Sequence, residues 1–129
     1  MISVDTNVII RLLTGDDQVQ FKKAKAIFSE ENVFIATTVI LESEWVLRYA
    51  YHFEQAEIVN AFQSLFGLSN IRLQDPLAIA NALEWYQDGM DFADAIHLAQ
   101  SKESESFITF DKKLIKLASK KTPLLVREP

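Results

Sequence analysis

Four acidic residues, Asp5, Glu42, Asp94 and Asp111, stand far apart in this 129-residue sequence but in matching surroundings. Each falls just after a short apolar run or in the opening turns of a helical pattern. Brought to one edge, four carboxylates repel and cannot all stay ionised unaided. A hard divalent cation resolves that conflict, and Mg²⁺ or Mn²⁺ held by carboxylates and waters is the natural occupant. Such a centre orients and deprotonates a water and stabilises a departing phosphate oxygen. The reaction class implied is metal-assisted phosphodiester hydrolysis.

Each acid also has a plainer role. Asp5 or Thr6 can cap the helix that follows by accepting a backbone N–H. Asp91 reads as an N-cap, which puts Asp94 at the third helical position, where an acid suits the dipole. Asp111 precedes Lys112-Lys113-Leu114 and reads as another cap. Glu42 has Thr38, Val39, Trp45 and Val46 at helical spacing, a largely apolar stripe, and no Lys or Arg three or four residues away. Glu44, by contrast, has Arg48 at i+4 and reads as an ordinary surface acid. What separates cap from ligand is whether the elements bring these residues to one place.

Ile2-Ser3-Val4 reads as a short strand that hands over at Asp5 to a helix through Thr14, stopped by Gly15. A second helix is expected over residues 18–30, and Val33-Phe34-Ile35-Ala36 reads as a buried parallel strand. Thr37 or Thr38 then caps a helix through about Tyr51. A further helix spans about Glu54 to Phe66, and Ile71-Arg72-Leu73 is a brief strand. Asp75-Pro76 opens a helix to about Gln87, and Asp88-Gly89-Met90 is a turn. A helix from Asp91 to Ala99, a strand at Phe107-Ile108-Thr109, a helix over 112–119 and a strand at Leu124-Leu125-Val126 complete the chain. Strands alternating with helices imply an α/β fold of one domain over residues 1–129. Its small, mostly parallel central sheet of about five strands has helices on both faces, in three α/β/α layers. Right-handed crossovers then set the strand C-termini, and the acids with them, on one edge.

Composition narrows the classes. With 49% hydrophobic residues and 9 Phe, the chain can fill a core, which argues against disorder. Cysteine is absent, which excludes disulfides and thiolate sites. No basic segment precedes the first apolar run and Asp5 interrupts it, so no secretory leader and a cytoplasmic location are expected, with no membrane span. The net charge of −5 opposes phosphate binding unless a cation offsets the acids. The available cations are Lys112, Lys113, Lys116, Lys120 and Lys121 near the C-terminus, with Arg11 and Arg48; they read as phosphate contacts or as solvated helix faces. His97, at i+3 from Asp94, reads as a helix histidine near the core, and His52 as a helix-end residue. Trp45, Val46, Tyr49, Tyr51 and Phe53 exceed what one helix face needs and read as core or as a groove for a partner helix. Ile9, Leu12 and Leu13 carry the same ambiguity.

Val4-Asp5-Thr6-Asn7, Leu41-Glu42-Ser43-Glu44, Asp91-Phe92-Ala93-Asp94-Ala95-Ile96-His97-Leu98 and Thr109-Phe110-Asp111-Lys112, in that order, resemble the PIN-domain nucleases, and specifically the VapC toxins of type II toxin–antitoxin modules. The resemblance covers the whole chain. It implies a PIN-like fold and an endoribonuclease dependent on Mg²⁺ or Mn²⁺, with Asp5, Glu42, Asp94 and Asp111 as metal-holding residues and a metal-activated water as nucleophile. It also implies supporting roles for Thr6, Asn7 and Thr109, with Asp91 as a cap or outer residue. A VapB-type antitoxin that inhibits the enzyme, an RNA substrate such as tRNA or rRNA, and a homodimer follow from the same resemblance. Three rivals differ in testable ways. A receiver domain would have paired acids after the first strand, and a phosphatase would have a second Asp where Asn7 stands. A catalytically inactive PIN-like module would bind RNA or protein without cutting.

Overall fold

Val33 and Ile35, both fully buried, form the middle strand of the first half of the chain. Alternate β-branched residues suit a strand covered on its faces. This strand, β2 (Val33–Ile35), pairs in parallel with β1 (Ile2–Ser3) and with β3 (Ile71–Leu73), giving the order β1-β2-β3. The register matches Ile2 to Val33, and Val33 to Ile71. Helices α1 (Thr6–Thr14) and α2 (Gln18–Glu30) connect β1 to β2. Helices α3 (Thr37–Tyr49) and α4 (Gln55–Phe66) connect β2 to β3. Gly15, at φ +63, ends α1 in the left-handed conformation and returns its N–H to the Arg11 carbonyl at 3.0 Å. The computed structural model covers residues 1–129, which fall into two compact units, Met1–Pro76 and Leu77–Pro129.

In the first unit Ile9, Ile10, Phe28, Ile40, Leu47, Ile58 and Phe62 are buried. Polar ties fix the ends of its elements. Asn70 donates to the carbonyls of Phe28 and Glu31, both at 2.7 Å, so the loop before β3 closes the end of α2. The Tyr51 hydroxyl donates to Asp16 at 2.7 Å, and Arg11 reaches Asp16 at 3.2 Å and the Tyr51 oxygen at 3.0 Å. The Tyr51 hydroxyl above all, helped by Thr14 and Arg11, holds the Asp16 carboxyl below the usual carboxylate range.

The second unit contains α5 (Pro76–Gln87, whose first residue closes the first unit), α6 (Phe92–Ala99), β4 (Ser106–Ile108), α7 (Lys112–Ala118) and β5 (Leu125–Arg127). β4 and β5 pair in parallel, with Phe107 opposite Val126. Tyr86 and Phe92 pack at 5.0 Å between ring centroids. Gly89, at φ +106, makes the turn between α5 and α6, a conformation that a side chain resists.

The α/β class, five strands and all-parallel pairing match the sequence reading. The ladder divides into a three-strand and a two-strand set. No helix is long and apolar enough to cross a membrane. Strands β4 and β5 sit one residue away from their expected places.

Two expectations on α3 are overturned. Neither Thr37 nor Thr38 caps it: Ala36 occupies the cap position, and the Thr37 N–H donates to the side chain of Gln74 at 3.1 Å. A remote residue thus does the work of a local one. The acids of α3 also exchange roles. Its buried stripe is Thr37, Ile40, Ser43, Glu44 and Leu47, so Glu44 lies inside and Glu42 outside. Two residues along a helix turn the side chain by about 200°, which carries Glu42 away from that stripe. Glu44 is 2% exposed and meets Arg48 through two bonds, at 2.7 and 3.4 Å. Arg48 also lies over the Tyr49 ring at 4.6 Å. The aromatic stretch splits: Trp45 and Tyr49 are exposed, while Val46, Tyr51 and Phe53 are half-buried. Ile9 belongs to the core.

Removing Arg48 takes two charge-assisted bonds from the buried Glu44, although Arg48 itself is 39% exposed. Arg48→Ala is expected to lower stability by about 1–3 kcal/mol, and Arg48→Lys to recover only part of it because the two-pronged contact is lost. Urea midpoints with an unchanged slope would measure this; an Arg48→Ala protein as stable as wild type would contradict it.

Candidate functional site

In the first unit Asp5, Thr6 and Asn7 follow β1, and Thr6 bonds Glu42 of α3. Asp5 closes the strand in extended geometry and caps α1, its carboxylate accepting the Thr6 N–H at 2.7 Å. Thr6 is buried, 4% exposed, and its hydroxyl donates to Glu42 across from α3. This bond ties the first turn of α1 to the second turn of α3. It also leaves Glu42 one carboxylate oxygen free of Thr6, since a carboxylate accepts at both oxygens. The buried Thr6 hydroxyl is thus the hydrogen-bond partner of Glu42. Asn7 is exposed and lines a groove of about 300 Å³ between α1 and α2, with Val8, Arg11, Lys23, Ala24 and Ile27.

In the second unit three acids line one hollow of about 200 Å³, Asp91, Asp94 and Asp111, together with Lys113, Met90 and Leu114. Asp91 caps α6 and accepts the Asp94 N–H at 3.1 Å. Asp111 caps α7 and accepts the Leu114 N–H at 3.0 Å. Both local roles read from the sequence are present. Asp94 belongs to the first turn of α6 and is half-buried. Burial raises its pKa, the neighbouring charges of Asp91 and Asp111 raise it further, and His97 offsets this in part. The hollow thus holds more negative charge than its surroundings relieve.

The Thr109 hydroxyl accepts the Asp111 backbone N–H at 3.1 Å, so it fixes the chain that carries the acid rather than the carboxylate. His97 is exposed rather than packed near the core. Arg11 and Arg48 are engaged, Arg11 with Gln20, Asp16 and Tyr51, Arg48 with Glu44, and Lys121 pairs with Asp88 at 2.7 Å. Lys112, Lys113, Lys116 and Lys120 are exposed and form no ion pair. Lys113, one of the candidate phosphate contacts, lines the hollow in the first turn of α7, two residues after the capping Asp111.

The oxygens on offer suit a hard cation, and the unrelieved charge around Asp94 is what such an ion would offset. No group of three or more His, Cys, Asp or Glu side chains forms a ready-made cage. That is the usual situation for Mg²⁺, which keeps several waters and takes one or two carboxylates plus substrate phosphate.

A family model described as PIN domain matches residues 2–120. The chain belongs to the PIN domain family. Among solved structures it is similar to the crystal structure of Mycobacterium tuberculosis VapC20, a Sarcin-Ricin loop cleaving toxin, at 19% identity over 97% of this chain and 99% of that one, with a TM-score of 0.46. No curated protein matches the chain.

The raised pKa of Asp94 makes a prediction about stability. A carboxyl that ionises less readily folded than unfolded favours the fold below its unfolded pKa and loses that contribution as pH rises through its folded pKa. Asp94→Asn is therefore expected to melt higher than wild type at pH 7, with the gap closing as the pH falls below the normal carboxylate range. Melting curves across that range decide it, and a variant less stable than wild type at neutral pH would refute it.

Proposed function

We propose that this chain is a VapC-type toxin, a single PIN domain over residues 1–129 that cleaves RNA internally with Mg²⁺ or Mn²⁺ and is held inactive by a VapB-type antitoxin. The observation that carries the reading is the half-buried Asp94 between Asp91 and Asp111 on one hollow. Family membership over residues 2–120, a span that includes all four acids, supports it. In this reading the candidate cation ligands, acting partly through water, are Asp5 and Glu42 of the first unit and Asp94 and Asp111 of the second. The cation supplies activation of a water and charge neutralisation at the scissile phosphate.

The remaining contributions belong to the chain's own groups. Thr6 holds Glu42 by one oxygen and leaves the other for an ion or its water. Asp5 and Asp111 spend one interaction each on a helix cap, which fixes their orientation. Thr109 holds the turn that carries Asp111, and Asp91 fixes the start of α6. Asn7 stands next to Thr6 as a further supporting group. Lys112 and Lys113 contact the phosphates that flank the cut. A tRNA or rRNA target, a homodimer and a cytoplasmic location complete the reading.

Purified protein incubated with total RNA and Mg²⁺ or Mn²⁺ tests it. Wild type is expected to give discrete fragments that vanish with chelator, and Asp5→Asn or Asp94→Asn to cut at least about 100-fold more slowly while still folding. Full cleavage by either variant would reject the site. RNA bound in Mg²⁺ but left intact would instead identify a binding module. Replacing Lys112 and Lys113 together with Ala is expected to reduce the slope of log affinity against log salt by about 2. An unchanged slope would remove both from the RNA path.

A further inference from the structure

Phe110 is 79% exposed, more than any other large apolar side chain in the chain. Scattered exposed apolar residues are common, but three observations set this one apart. Its backbone is held on both sides. The Thr109 N–H donates to the Arg127 carbonyl at 3.0 Å, and the Asp111 N–H donates to the Thr109 hydroxyl at 3.1 Å. Its neighbour Asp111 lines the acidic hollow with Asp91 and Asp94. Beyond Asp111 come Lys112, Lys113 and Lys116, exposed and without an ion pair.

An exposed aromatic side chain on a held backbone, one residue before an acid of the hollow and within a few residues of three free lysines, suits a single-stranded nucleic acid. A base stacks on the ring while neighbouring phosphates meet the lysines. A protein partner fits less well, because lysine is depleted at the centres of protein interfaces. Little side-chain entropy is lost on stacking, since the two Phe torsions hang from an anchored backbone. Ring and acid are consecutive residues, so a base on the ring adds binding energy close to Asp111.

We propose that Phe110 is the stacking platform for an unpaired RNA base beside the scissile phosphate, a positioning residue that favours unstacked segments of the substrate. The inference rests on the ribonuclease reading above and goes beyond it by naming the form of RNA and the group that holds it.

The test compares Phe110→Ala, Phe110→Leu and Phe110→Trp in the full chain. The substrate is a single-stranded oligoribonucleotide spanning a site that the wild type cuts in total RNA. Ala and Leu are expected to raise KM about ten-fold, with kcat nearly unchanged, because stacking contributes equally before and during the reaction. Trp restores KM. With the 2′-O-methyl form of the oligonucleotide, Phe110→Trp shows quenching beyond that of wild type, whose own tryptophans are Trp45 and Trp85. All three variants are expected to melt as wild type does.

Leu behaving as wild type would overturn the proposal, because Leu keeps the apolar surface and lacks the ring. So would an Ala variant with unchanged KM and a changed sedimentation coefficient, which would make Phe110 a contact between copies. Either result leaves the ribonuclease reading standing if the wild type cuts RNA. A wild type that neither cuts nor binds RNA overturns both.

Discussion

A carboxylate half removed from water, with two more acids beside it, is a costly thing for a fold to keep. Asp94 is in that position, and its raised pKa is the electrostatic record of it. The surrounding hydrogen bonds do little to relieve the charge. Asp91 spends its bond on the Asp94 N–H and Asp111 on the Leu114 N–H. These bonds start helices and also hold the acids on the same hollow. The unit therefore maintains local repulsion with well-formed backbone caps. Nothing in helix capping requires three acids to share one hollow. A cation near Asp94 would offset that repulsion, and this is what the proposed metal role would add to the capping.

The helices and strands were legible because their punctuation is local. Gly15 in the left-handed region, Asp17 accepting the Gln20 N–H, Glu57 accepting the Glu54 N–H, and Gly89 at its turn are signals carried by nearby residues. Apolar periodicity supplied the rest. Asp5, Asp91 and Asp111 as caps follow from the same local chemistry. What sequence could not show is contact between distant residues. The Gln74 side chain caps α3 from 37 positions away, and the Thr6 hydroxyl bonds Glu42 across 36. Neither leaves a trace in spacing.

The exchange of Glu42 and Glu44 has a different cause. An acid with an arginine at i+4 looks like a surface pair, and on most helices it is one. Here the neighbours Ile40, Ser43 and Leu47 define the buried stripe, and the pair lies along it. Glu42 had looked buried because Val39, Val46 and Trp45 are apolar, yet Trp45 is 55% exposed. Amphipathic patterns locate a face by majority, and an aromatic turned outward misleads the count. An exposed Glu42 suits a ligand better than a buried one. It can reach an ion or a water, while the buried Thr6 hydroxyl keeps it oriented.

Capping and metal binding need not compete for the same acid. A carboxylate has two oxygens and about four lone-pair directions, so one backbone N–H leaves capacity for an ion or its water. A cap in fact improves a ligand by fixing its rotamer before the ion arrives. The same economy bears on charge. The net charge of −5 opposes RNA at long range, but screening confines that repulsion to about 8–10 Å at ordinary salt. Within that distance of a bound phosphate, the relevant charges are the local lysines after Asp111 and any cation among the acids. An acidic chain can therefore hold RNA where its acids are offset by a metal and its cations gather beside them, and the segment from Phe110 to Lys116 combines an aromatic face, an acid and three lysines within one short stretch.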